Sequence, residues 1–302
     1  MHTLRTPDDH FENLPGYDFA PHYREITHED GSSLRIHFID EGPRDGPLVL
    51  LMHGEPTWAY LYRDMIRALV AEGFRCVAPD LVGFGRSDKP LKRSDFTYER
   101  HVRWMTDWLV GEDLREINLF CQDWGGLIGL RLVAAMPERF ERVVASNTIL
   151  PAGQAPGEGF MRWLHFSQDL PMMHCGGVVQ GASYRTLSGD EVAAYDAPFP
   201  DESYKAGPHV FPTLVPITPE HPSVPENLAA WEALGRFEKP FLTAFGENDP
   251  VLGHLDRVLQ QRVPGAAGQP HQRIANASHF IQEDAPTELA GIITGFVRGT
   301  LA

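Results

Sequence analysis

The chain is short of cysteine, of positive charge and of long apolar runs, and each shortage closes off a class of protein. Its three cysteines, Cys76, Cys121 and Cys175, are too few for a disulfide framework and too scattered for a zinc site. Such usage fits a reducing compartment. No stretch approaches the ~18 consecutive apolar residues that span a bilayer. The opening MHTLRTPDDHFENLPGYDF has no apolar core of the signal-peptide kind. Against 26 Lys+Arg stand 41 Asp+Glu, a net charge of −15. That balance offers no overall positive field with which to displace counterions from nucleic acid or to settle on anionic lipid. Internal repeats and low-complexity tracts are absent too. The expectation is a soluble cytoplasmic protein with neither nucleic-acid nor membrane partners.

What is present is alternation. Short apolar runs trade places with helical periods, which means βαβ units and a mostly parallel sheet. The expected strands are Arg24–Glu29, Leu34–Asp40, Leu48–Met52, Phe74–Pro79, Ile117–Gln122, Arg142–Asn147, Phe241–Gly246 and Gln272–Ala275. LVLLM and INLFCQ are nearly continuous apolar runs, as strands covered on both faces require. Helical patterns fall at Tyr60–Ala71, Tyr98–Val110, Gly126–Ala135, Leu255–Arg262 and Glu288–Leu301. The Asp30-Gly31-Ser32-Ser33 turn makes the first two strands an antiparallel hairpin. Between Pro151 and Pro225 the pattern changes: glycine, proline and aromatic residues accumulate and no strand is legible. The 302 residues thus read as one α/β core, 1–150 and 226–302, with a helical cap inserted at 151–225. A cap there would sit over the carboxyl ends of the strands, where open α/β sheets bind ligands.

The strongest local signal is Cys121-Gln122-Asp123-Trp124-Gly125-Gly126, where an apolar strand turns into a helix. A residue at such a turn is lifted above the sheet, and its neighbours must be small. Hydrolases of this pattern place serine at the apex. Here it is Asp123, already ionised at neutral pH and in need of no base. A carboxylate attacks esters and amides poorly. It can displace a good leaving group from saturated carbon and become an ester. His53-Gly54-Glu55-Pro56-Thr57-Trp58 follows LVLLM, and its turn is placed to aim backbone N–H groups at an oxyanion. The amides of Glu55 and Trp124 are the expected donors. His279, after the last strand, is the expected base that takes a proton from water. Asp249, in GENDP after the penultimate strand, is the acid expected to orient it. Glu247 is the rival for that role, and Asn147 and Thr148 occupy the other position an acid can take.

At these residues the chain resembles the haloalkane dehalogenases, in particular their subfamily I. HGEPTW at 53–58, APDLVGFGRSDKP at 78–90, QDWGG at 122–126, AAYDAPFPDESYKAG at 193–207, GENDPVLG at 246–253 and ANASHFIQED at 275–284 carry the likeness over most of the chain. The resemblance implies the α/β-hydrolase fold, with an eight-stranded, mostly parallel sheet flanked by helices. It implies carbon–halogen hydrolysis through an alkyl-enzyme ester on Asp123, without metal or organic cofactor. The substrate is then a small apolar halogenated compound, and a monomer is expected. It also implies two indole donors for the departing halide: Trp124, beside the nucleophile, and Trp163, the one tryptophan between Pro151 and Pro225. An indole N–H donates and cannot accept, which suits a weakly hydrated anion. Phe166 is expected to line the same pocket.

Two other readings compete. An epoxide hydrolase shares the Asp–His–Asp set but needs proton donors for the alkoxide, normally two cap tyrosines; Tyr184, Tyr195 and Tyr204 are available. A non-catalytic receptor could also keep a triad. A haloacid dehalogenase of this fold would want an arginine at the elbow, and the nearest, Arg131, lies two turns into the helix.

Overall fold

The computed structural model describes residues 1–301. Strands β1 (His22–Thr27) and β2 (Ser33–Glu41) form the expected hairpin, Thr27 facing Ser33. Then come β3 (Leu48–Met52), α1 (Arg63–Ala71), β4 (Arg75–Pro79), α2 (Tyr98–Gly111), β5 (Ile117–Gln122), α3 (Trp124–Ala135) and β6 (Phe140–Ser146). The inserted stretch supplies α4 (Glu158–Asp169), α5 (Cys175–Gly181), α6 (Gly189–Asp196) and α7 (Ala206–Val210). The chain returns through α8 (Val224–Leu234), β7 (Phe241–Gly246), α9 (Asp256–Arg262), β8 (Gln272–Ile274), α10 (Ile281–Asp284) and α11 (Pro286–Arg298).

Together the strands make one eight-stranded sheet of order β8-β7-β6-β5-β3-β4-β2-β1. Every pair from β4 to β8 is parallel, and only the β1–β2 and β2–β4 pairs are antiparallel. This is the α/β-hydrolase fold. Every residue of β3, β5 and β7 is buried, which is why their sequences run apolar without alternation. Two hydrophobic cores lie on the two faces of this wall. Three thiols, Cys76, Cys121 and Cys175, are free and buried in them.

Local chemistry accounts for several boundaries. Thr97 caps α2, its side chain accepting from Arg100 N–H. Ser188 and Glu191 close a capping box on α6. Gly299 ends α11 at φ 69°. Four of the five expected helices start elsewhere, α9 one residue later at Asp256 and α11 two residues earlier at Pro286. Residues Ala59–Tyr62 form a 3₁₀ turn before α1, and α3 begins at Trp124 rather than Gly126. Helix α8 has no counterpart in the sequence reading; it packs on α3 and so belongs with the sheet.

Candidate active site

The site begins with a strained residue. Asp123 sits at φ 51°, ψ −128°, between the last residue of β5 and the first of α3. A non-glycine residue there costs about 1–3 kcal/mol. The turn holds because its backbone is bound on every side. Asp123 N–H donates to Asn147 O at 3.1 Å, and its carbonyl accepts from Gly126 N–H, Leu127 N–H and the Thr148 hydroxyl. The close approach demands glycine. A Cβ on Gly125 would stand 2.0 Å from Met52 O, and one on Gly54 would stand 2.2 Å from Asp123 Oδ1.

The carboxylate projects above the sheet into a cavity of ≈ 660 Å³. Glu55 N–H donates to its Oδ1 at 2.8 Å. His279 Nε2 lies 3.6 Å from its Oδ2. On the other side of the imidazole, Nδ1 donates to Asp249 Oδ2 at 2.9 Å. Asp249 Oδ1 in turn accepts from the amides of Val251 and Leu252. The three residues expected as nucleophile, base and acid are thus in line. Glu247 is exposed and outside this line, so of the two acids in GENDP it is Asp249 that meets the histidine. The expected second amide donor, Trp124 N–H, is the first of α3 and makes no bond to Asp123 among the described residues.

The electrostatics follow from burial and pairing. Burial opposes a charge on His279, but Asp249 and Asp123 outweigh it and raise its pKa to about 10. Burial likewise opposes a charge on Asp249. The His279 cation and the two amides nevertheless hold its carboxyl below the usual range. The Glu55 carboxyl is pushed well up by burial and then by the Asp123 charge. Its Oε1 has no partner among the described residues. His53 is not part of this set. Its Nε2 accepts from Leu81 N–H at 2.9 Å, and burial pulls its pKa down, so it ties the ends of β3 and β4 together as a neutral ring.

Both expected indoles line the cavity. Trp124 is held by Tyr98 and Phe211, ring centroids 5.1 and 4.7 Å away. Three other indoles have fixed partners: Trp58 donates to Ala194 O, Trp104 to His28 and Trp231 to Leu150 O; that of Trp108 has no partner among the described residues but is buried in the core and outside the cavity wall. Those of Trp124 and Trp163 donate to no described residue, which leaves two donors free toward the cavity. Phe166 is a correction. It is 54% exposed and absent from the cavity wall. The inner face of α4 runs through Phe160, Trp163, Leu164 and Ser167, and Phe166 points about 110° away from its centre. Of the three cap tyrosines an epoxide would need, Tyr195 is buried with its hydroxyl on Glu283, Tyr184 is exposed, and none lines the cavity.

Two residues that prop the histidine escaped the sequence reading. Asn147 Nδ2 donates to Ser278 O and His279 O, and Gln122 Nε2 donates to His279 O. For Asn147 a signal existed: it occupies the alternative acid position after β6.

Similarity to known proteins gives the class and the family of the chain. The family model described as alpha/beta hydrolase fold matches residues 47–170, which defines the class. The chain is 54% identical over 299 residues to a haloalkane dehalogenase of Psychrobacter cryohalolentis, covering 99% of each. It is 52% identical over 302 residues to one of Mycolicibacterium paratuberculosis, covering 100% of each. Among solved structures, the haloalkane dehalogenase DpaA from Paraglaciecola agarilytica NO2 superposes with a TM-score of 0.90 at 35% identity, over 96% of this chain and 97% of that one. The chain belongs to the haloalkane dehalogenases, hydrolases that act on carbon–halide bonds.

Proposed function

We propose that Asp123 is the nucleophile of this dehalogenase, His279 its base, Asp249 the acid behind the base, Trp124 and Trp163 the halide donors, and the amides of Glu55 and Trp124 the oxyanion donors. One observation carries the reading. The Asp123 carboxylate faces a mostly apolar cavity with an amide on one oxygen, an imidazole 3.6 Å from the other, and two unpartnered indoles in the same wall.

In the first step an Asp123 oxygen forms a bond to carbon as the carbon–halogen bond breaks. The electron pair leaves with the halide, and the two indole N–H groups receive the charge. Halide needs no proton to depart, so no acid is used. The second step depends on what the first has done to His279. With Asp123 esterified, one of the two charges that hold the imidazole proton is gone, and the pKa falls from its resting value. The neutral ring takes a proton from water, and hydroxide adds to the ester carbonyl. The amides of Glu55 and Trp124 hold the resulting oxyanion. Collapse breaks the bond to the alkoxide, which takes the proton held by His279 and leaves as alcohol, and the remaining acid releases its proton to restore the Asp123 carboxylate.

The same reading makes residues 151–225 the cap and 1–150 with 226–302 the catalytic core, and it describes a cytoplasmic monomer acting on small apolar haloalkanes. DpaA is described as tetrameric, so light scattering decides the assembly: the mass of one chain supports the monomer, a multiple overturns it. The roles are tested by titrating tryptophan fluorescence with bromide while measuring bromide release from 1,2-dibromoethane. Quenching that disappears in Trp163→Phe supports them. Quenching unchanged in that variant removes Trp163 from the halide site.

A further inference from the structure

The loop that carries His279 is gripped along both edges. Its carbonyl edge rests on the core, through the amides of Asn147 and Gln122. Its amide edge is held by one carboxylate, Asp284. Ser278 N–H donates to Asp284 Oδ2 at 2.8 Å. The same two oxygens accept Tyr184 N–H at 2.8 and 2.9 Å and Arg185 N–H at 2.9 Å, both from the inserted stretch. Phe280 N–H adds a bond to Ala182 O at 3.3 Å. Next to Asp284, the buried Glu283 accepts from Arg63 of α1 at 2.6 and 2.9 Å, from the Tyr195 hydroxyl of α6, and from the Arg185 guanidinium. Arg185 Nε also reaches the Glu283 carbonyl at 2.7 Å. The short helix α10 is therefore where core, insertion and the histidine loop meet.

We propose that Asp284 is a positioning residue that makes the seating of the inserted segment a condition of ester hydrolysis. The inference rests on the roles given above to Asp123 and His279. An ionised carboxylate accepts on two oxygens at once, so it serves the insertion's amides and the Ser278 amide together. An amide in its place has one acceptor oxygen and presents N–H groups to an N–H donor. With that oxygen at the Oδ1 position it keeps Tyr184 and Arg185 and loses Ser278; at the Oδ2 position it keeps Ser278 and Tyr184 and loses Arg185, so either way the bridge between the histidine loop and the insertion is weakened. His279 is then loosened from the insertion on one edge while Asn147 and Gln122 still hold the other. Ester formation needs Asp123 and the indoles and no base. The damage therefore falls on the second step alone.

The test is Asp284→Asn, followed by rapid-mixing bromide release from 1,2-dibromoethane, steady-state turnover and intact mass. The expected result is a first burst within about threefold of the unaltered enzyme, turnover slowed about 10- to 100-fold, as misplacement of a reacting group by an ångström produces, and an alkyl adduct accumulating on the chain. Burst and turnover falling together, or neither falling, overturns the proposal. Should that variant fail to fold, Arg185→Met loosens the same junction with Asp284 intact. It is expected to show the same split at smaller size, and an equal fall in both steps overturns the idea. His279→Phe run alongside separates the two levels: repeated turnover there sinks the underlying role assignment, whereas a single burst there with no split in Asp284→Asn sinks only the role of Asp284.

Discussion

The two indoles proposed to receive the halide live in different surroundings. Trp124 belongs to the floor. It is 3% exposed, wedged between Tyr98 and Phe211, and starts a helix that is buried on nearly all sides. Trp163 belongs to the roof, half-buried on α4, with the exposed Phe166 as its aromatic neighbour at 6.2 Å. The floor is a set of strand ends cross-bound by backbone amides and buried side chains. The roof at α4 is a two-sided helix of which one face meets the cavity and the other meets water. On the proposed roles, the chemistry that demands fixed distances sits below, and the second halide donor sits above, on a helix with one face in water where local opening costs less.

Substitutions can break or sharpen this contrast. The largest effect is expected in the floor. Asp123→Asn removes the attacking charge and should lower bromide release by about 10⁴-fold or more, as loss of a nucleophile in a concerted set does. His279→Phe should give one equivalent of bromide and then stop, with turnover down at least about 10³-fold; continued turnover removes His279 from its role. Among the indoles, Trp124→Phe should cost about 100-fold in kcat/KM and Trp163→Phe about 10-fold, the span of one hydrogen bond to a charged group. Equal losses would erase the difference between floor and roof. At the small end, Phe166→Ala should leave kcat/KM unchanged within about twofold and stability within about 0.5 kcal/mol.

The acid–base pair adds a pH test. His279 has a folded-state pKa raised from 6.5 to about 10, so its charge contributes stability that is fully present below pH 6.5 and is lost as pH rises through about 10. The stability difference between the unaltered protein and His279→Gln, followed by urea unfolding, should shrink across that window. Turnover should rise at a pH below the one at which His279 titrates in the resting enzyme, because esterification removes the Asp123 charge. Coincident curves would mean the ester does not relieve the imidazole.

What the sequence disclosed tracks how hard burial constrains a segment. Ile117–Gln122 and Phe241–Gly246 were legible to the residue, because a strand covered on both faces cannot hide a polar interruption. The hairpin slipped by one or two residues at its ends, where the edge strand β1 alternates and exposure blurs its limits. Asp123, Asp249 and His279 each follow a strand of that sheet, so order along the chain was enough to single out three side chains that the structure brings together. The cap was another matter. CGGVVQG at 175–181 has no helical signature of its own, yet α5 forms because it packs against α6. Phe166 was misread because proximity to Trp163 along the chain says nothing of which side of the helix it occupies. Asp284 stood at the end of ANASHFIQED without a role, since two of the amides it joins to Ser278 lie about 100 residues away.

The buried thiols bear on how such an enzyme survives its own substrates. Alkyl halides modify thiolates without any catalyst, and Cys121 stands two positions from the residue proposed to attack them. Burial alone drives the Cys121 thiol far up, and Cys76 and Cys175 are driven up chiefly by burial with nearby carboxylates adding to it. None therefore offers the anion that an electrophile would capture. A reactive bromide held beside Asp123 therefore meets no thiolate to compete with the carboxylate proposed to attack it, and an alkyl group on that carboxylate is one that water can remove.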